Sequence, residues 1–90
     1  MIEVCFPPHL RRHFPLPAAC HIEADTAAAA VAELDRLFPG VAAWLIHENG
    51  ALRQHVNLFL DEQFLRDRER LTDSLVGVKK LHVMQALSGG

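Results

Sequence analysis

The sequence predicts an α+β domain: a mixed sheet of four or five strands with one main helix packed on one face. Three observations lead there. Apolar residues alternate with period two near both ends of the chain and again in its middle, and one longer apolar stripe at helical spacing lies between them. The chain has 90 residues, half of them hydrophobic, which supplies one core and no second one. A domain this small hides roughly 60 to 70% of its unfolded surface, leaving little room for an internal active-site cavity, which weighs against a self-contained enzyme.

The elements follow in order. Ile2, Val4 and Phe6 alternate with Met1, Glu3 and Cys5, a strand with one buried face that Pro7-Pro8 stops. Residues 7 to 17 hold four prolines and read as an extended loop. Cys20 and Ile22 alternate with Ala19, His21 and Glu23, giving a second strand that pairs back on the first. Asp25-Thr26 supplies an N-cap before Ala27, Ala30, Val31, Leu34, Leu37 and Phe38, whose spacing makes one apolar stripe on a helix ended by Pro39-Gly40.

Val41 to Ile46 adds a helical turn before the Asn49-Gly50 turn signal. Val56, Leu58 and Leu60 then form the clearest strand, with His55, Asn57, Phe59 and Asp61 on its other side. Asp61-Glu62-Gln63 turns the chain into a short return strand at Phe64-Leu65, and the charges from Arg66 to Arg70 read as a solvated connection. In the last strand Leu81, Val83 and Gln85 oppose His82, Met84 and Ala86. A hairpin, a helix and three further strands close most naturally as a β-grasp domain over residues 1–86, with the first and last strands parallel at its centre and a flexible tail over 87–90.

Charge narrows the function classes. Nine Lys and Arg against eleven Asp and Glu give a formal charge of -2, so the basic footprint of a nucleic-acid or anionic-membrane binder is missing. Every apolar run is broken well short of the roughly 18 residues of a membrane span. The N-terminus lacks the pattern of a secretory signal, so a cytoplasmic chain is expected. Cys5 and Cys20 fall on opposite phases of their strands and are expected to be two free thiols. His9 and His13 have the i, i+4 spacing of helical metal ligands, but the surrounding prolines argue against a helix, and no metal site is expected. Trp44 fits either an anchor for a partner or packing at the edge of the core.

The remaining features are a face and a tail. Phe59, His82 and Met84 lie on the non-core phase of their strands, which gathers them on the open face of the sheet, where an apolar patch marks either a partner site or a surface covered by a loop. A chain ending in Gly-Gly arises by chance in roughly 0.5% of cases at ordinary glycine usage. On the residues alone, Gly89-Gly90 is either a frayed end or a peptide slender enough to thread into another protein's active site and present its carboxylate.

Residues 52–60, Leu65-Arg66, Leu71 to Leu75, Leu81-His82-Val83-Met84 and Ala86-Leu87-Ser88-Gly89-Gly90 resemble the C-terminal half of the MoaD/ThiS family of ubiquitin-like sulfur carrier proteins. Asp25-Thr26 and Leu37-Phe38-Pro39-Gly40-Val41 sit where that family has its helix cap and helix end, so the resemblance spans most of the chain and is weakest over 7–19. It is nearest to carriers of about this length that serve cysteine synthesis. The chain departs from the family at Asp61-Glu62-Gln63, at the basic turn Gly77-Val78-Lys79-Lys80 and in the tail, which reads Ala-Leu-Ser-Gly-Gly.

The resemblance implies a carrier with no catalytic residues and no permanently bound cofactor. An activating enzyme of the ubiquitin-activating type, an adenylyltransferase and sulfurtransferase, uses ATP to adenylate the Gly90 carboxylate, and sulfur then displaces AMP to leave a thiocarboxylate. A downstream sulfur-accepting enzyme takes that sulfur into a metabolite such as cysteine, molybdopterin or thiamine. Gly89 is the slender approach, and Phe59, His82, Met84 and Leu87 form the docking surface. Two other roles fit the same fold: a modifier joined through Gly90 to lysines, and a structural ubiquitin-like subunit whose tail is never activated.

Overall fold

The computed structural model describes residues 1–85, so the expected tail, with Leu87, Gly89 and Gly90, lies outside the described residues, as does Ala86. In chain order the elements are β1 (Ile2–Cys5), α1 (Pro8–Arg11), β2 (Ala19–Ile22), α2 (Ala27–Leu37), α3 (Val41–Leu45), β3 (Val56–Leu60), β4 (Gln63–Phe64) and β5 (Lys80–Gln85). The five strands form one sheet in the order β2-β1-β5-β3-β4. β1 and β5 run parallel at its centre, and the β1–β2, β3–β5 and β3–β4 pairs are antiparallel. The expected α+β arrangement is therefore the observed one.

The period-two pattern does the sorting. Ile2, Val4, Ile22, Val56, Leu58, Leu60, Leu81 and Val83 are buried, and α2 contributes Ala27, Ala30, Val31 and Leu34 to the same core. Each large aliphatic side chain so buried stabilises the fold by about 1.5 to 3 kcal/mol. Leu37, expected in the helix stripe, is instead exposed. The chain leaves the helix at Phe38, whose ring meets Phe6 edge-on at 5.9 Å and fills the end of the stripe in its place.

Both ends of α2 have explicit partners. The Thr26 hydroxyl accepts from the Ala29 N–H at 3.1 Å, and the Ala27 and Ala28 N–H groups donate to the carbonyls of Asp73 and Leu71. At the other end Gly40 adopts φ 99°, a left-handed conformation suited to glycine, and the Asp35 carboxylate accepts from the N–H groups of Gly40 and Ala42 to start α3.

The extended loop expected over 7–17 is partly helical. Pro8 occupies the first helical position, where its missing N–H costs nothing and its fixed φ suits the turn, while Pro7 stays extended at ψ 151°. Leu10 is buried and anchors the turn, which continues through bonds from the His13 and Phe14 N–H groups to the Leu10 carbonyl. Trp44 packs at the edge of the core between the rings of His13, stacked at 4.9 Å, and Phe14, edge-on at 5.7 Å.

Within the charged run 66–70, Arg66, Glu69 and Arg70 are exposed as expected of a solvated connection, while Asp67 and Arg68 are half-buried and bonded into the fold, and the residues that follow enter the core. Leu71 and Leu75 are core residues, and Leu71 holds φ 55°. Asp67 accepts from the Thr72 hydroxyl and from the N–H groups of Glu69, Arg70 and Thr72, while Asp73 accepts from the N–H groups of Arg66 and Asp67. These bonds hold the Asp67 carboxyl down at about 2 against an ordinary 3.8, with the Thr72 hydroxyl the largest contributor and the Arg70 N–H next.

Candidate docking face and tail exit

Strand pairing fixes which side chains meet on the open face. Ala19 is opposite Cys5, Cys5 opposite His82, His82 opposite Phe59 and Phe59 opposite Phe64, so one row crosses all five strands. The Phe59 ring lies 5.0 Å from Phe64 and 6.4 Å from His82, centre to centre. Met84 is the next open-face residue along β5, opposite Asn57. Phe64 is 58% exposed and Met84 42%, while Phe59 and His82 are half-buried by their neighbours. The three described residues expected to gather here do so, and Leu87 falls outside the described residues.

Phe64 is the member that sequence reasoning missed. Leu60 pairs with Gln63, so only Asp61 and Glu62 form the hairpin loop, and Phe64 must then stand opposite Phe59. Asp61 takes φ 55°, tolerable for aspartate, and its carboxylate accepts from the N–H groups of Lys79 and Lys80, tying the hairpin to the start of β5. Reading the acidic turn as two residues instead of three was the available signal.

The other border of the row is charged. Lys80, Glu3 and His21 occupy one register line, with Lys80 Nζ 3.7 Å from Glu3 Oε1. The thiols lie on opposite sides of the sheet, as expected: Cys20 is opposite the buried Val4, and Cys5 is on the open face. Burial, followed by the nearby Cys5, pushes the Cys20 thiol up.

β5 ends at Gln85, which pairs with Val56 at the start of β3. One side chain organises that corner. The Arg68 guanidinium donates to the carbonyls of Arg53 and Val56, each at 2.8 Å, and to Asn57 Oδ1 at 2.6 Å. A planar group with several fixed donors suits three acceptors spread over the end of a loop and the start of β3, which a lysine would not satisfy. The main groove, about 1140 Å³, lies elsewhere, at the β4 end between Phe64, Val76 and Lys79. Three of its four carboxylates, Asp61, Asp67 and Asp73, are occupied by backbone N–H groups, so they serve its loops.

A five-stranded mixed sheet with a parallel central pair and one principal helix on its inner face defines a ubiquitin-like β-grasp domain. Solved structures share it over essentially the whole chain. The crystal structure of the Amycolatopsis orientalis BexX/CysO complex matches with a TM-score of 0.85 and 20% identity, covering 100% of both chains. Mycobacterium tuberculosis CysO, an antigen, matches at 0.83 and 20% identity over 97% of this chain and 100% of that one. SAMP1 from Haloferax volcanii matches at 0.74 and 18% identity over 99% and 98%. No protein-family model and no curated protein matches the sequence. Among the described residues, no helix is long and apolar enough to cross a membrane.

Proposed function

We propose that this chain is a sulfur carrier whose chemistry resides on the Gly90 carboxylate. The observation that carries the reading is topological: β5, a central strand, leads directly into Ala86-Leu87-Ser88-Gly89-Gly90. The fold shared with the CysO and SAMP1 structures supports a ubiquitin-like sulfur-carrier or modifier role.

In the proposed cycle the activating enzyme joins the Gly90 carboxylate to AMP from ATP and releases pyrophosphate. A sulfur nucleophile then attacks the acyl carbon, AMP leaves, and a thiocarboxylate remains. Its ionised sulfur is a soft nucleophile that a second enzyme directs onto a biosynthetic intermediate. Gly89 keeps the approach narrow because neither terminal residue carries a Cβ. The open-face row of Phe59, Phe64 and His82, with Met84 beside it, is the surface on which those enzymes dock, since exposed apolar patches on small domains mark partner sites. A structure of CysO in a complex is consistent with a carrier that acts together with other proteins.

The test is deletion of Gly90, or replacement of Gly89 by Trp, followed by ATP–pyrophosphate exchange with the activating enzyme. Exchange is expected to disappear while thermal unfolding stays unchanged. Exchange at the parent rate without Gly90 would remove the reading.

A further inference from the structure

The proline-rich segment that follows β1 places two imidazoles on one side of a helical turn. His9 lies inside α1, and His13 follows one turn later, where the chain is still held by bonds from the His13 and Phe14 N–H groups to the Leu10 carbonyl. Their ring centres are 5.3 Å apart. Two histidines at i and i+4 on a helix are a bidentate donor set for borderline divalent ions.

The spacing fits such an ion. Metal–nitrogen bonds of about 2.0 to 2.1 Å place the ion about 3.2 Å from each ring centre, so a tetrahedral angle between the two bonds separates the centres by about 5.2 Å, and the angle of about 90° that Ni²⁺ and Cu²⁺ prefer by about 4.5 Å, a closure of under about 1 Å for two surface side chains. Three features fix the pair in place: Pro8 starts the turn, the buried Leu10 anchors it, and the indole of Trp44 stacks on His13 at 4.9 Å with planes 22° apart. No acidic residue occurs between Pro7 and Cys20, so no neighbour in the segment completes the shell.

We propose that His9 and His13 form a surface two-histidine site for a divalent transition ion of the Ni²⁺, Cu²⁺ and Zn²⁺ class, with water in the remaining positions. The site is independent of the tail chemistry and lies on a segment that the sulfur-carrier reading does not use. Arg11 and Arg12, both exposed, add positive charge and hold the affinity below that of a three-ligand site.

Trp44 is the sole tryptophan of the chain and reports directly on an ion held at His13. Ni²⁺ titrated into the untagged full chain is expected to quench its fluorescence to a saturating level. His9→Ala keeps the His13–Trp44 stack and should need at least about tenfold more Ni²⁺, because the second ligand no longer binds intramolecularly. His13→Gln, followed by calorimetry because its indole environment changes, should show the same loss, and His55→Ala should titrate like the parent. A parent left unquenched at millimolar Ni²⁺, or a His9→Ala chain that titrates like the parent, would overturn the proposal.

Discussion

Arg68→Met deletes the guanidinium that joins residues 66–72 to the start of β3 while keeping most of the side chain's apolar stem. Three short hydrogen bonds are lost, two of 2.8 Å to the carbonyls of Arg53 and Val56 and one of 2.6 Å to Asn57 Oδ1, together with a longer one of 3.5 Å to the Gln54 carbonyl. A hydrogen bond from a charged donor contributes about 1.5 to 3 kcal/mol when isolated from water. Arg68 is only half-buried and its three bonds act as one unit, so the expected cost is about 2 to 3 kcal/mol. For a domain of this size that lowers Tm by roughly 10 to 20 °C, read by circular dichroism and checked by urea unfolding. Arg68→Lys should recover only a minor part, because an ammonium is a single point donor facing three acceptors. A loss in Arg68→Met below about 3 °C would show that the segment is a solvated connection after all.

Three further outcomes are expected. Asp67→Asn should lower Tm at pH 7; because the folded carboxyl titrates at about 2 against an ordinary 3.8, its stabilisation is complete above 3.8 and disappears as pH falls through about 2, so melts across that window should converge with the parent. Gly40→Ala forces a side chain into φ 99°, with its Cβ 3.4 Å from the Phe14 ring, and should cost about 1 to 2 kcal/mol in thermal unfolding; an unchanged Tm would mean the turn relaxes freely. Phe64→Ser with Met84→Ser removes two exposed side chains from the open face and should leave Tm within about 4 °C of the parent while weakening binding to the activating enzyme at least tenfold, measured by calorimetry; parent-like binding would place docking elsewhere.

The sheet was legible because alternation is a local property. Ile2-Val4, Val56-Leu58-Leu60 and Leu81-Val83 declare a buried face without reference to anything distant, and α2 (Ala27–Leu37) declares its cap at Thr26. The open-face placement of Phe59, His82 and Met84 followed from the same phase, because a residue out of step with the core must point away from it.

What escaped sequence reading depends on long-range partners or on proline's two roles. Pro8 reads as a breaker until Leu10 is seen to be buried, at which point it becomes the first residue of a turn. Arg68 stands in a run of alternating charges whose composition suggests solvent, yet its acceptors lie 11 to 15 residues away in sequence. Asp67 and Asp73 were likewise indistinguishable from surface carboxylates until their backbone donors were known. Leu37 and Phe38 were both expected in one apolar stripe, and only Phe38 packs inward, against Phe6 across the core.

Whether the Gly90 carboxylate carries sulfur, as proposed, is decided by intact mass spectrometry of the protein purified from its own host, with fragmentation of the C-terminal peptide. A fraction of molecules is expected in which one oxygen of the Gly90 carboxylate is replaced by sulfur, increasing when the sulfur-accepting enzyme is absent. A Gly90 carboxylate that stays unmodified while its activating enzyme is present and active, or one found only in amide linkage to lysines, would contradict the proposal.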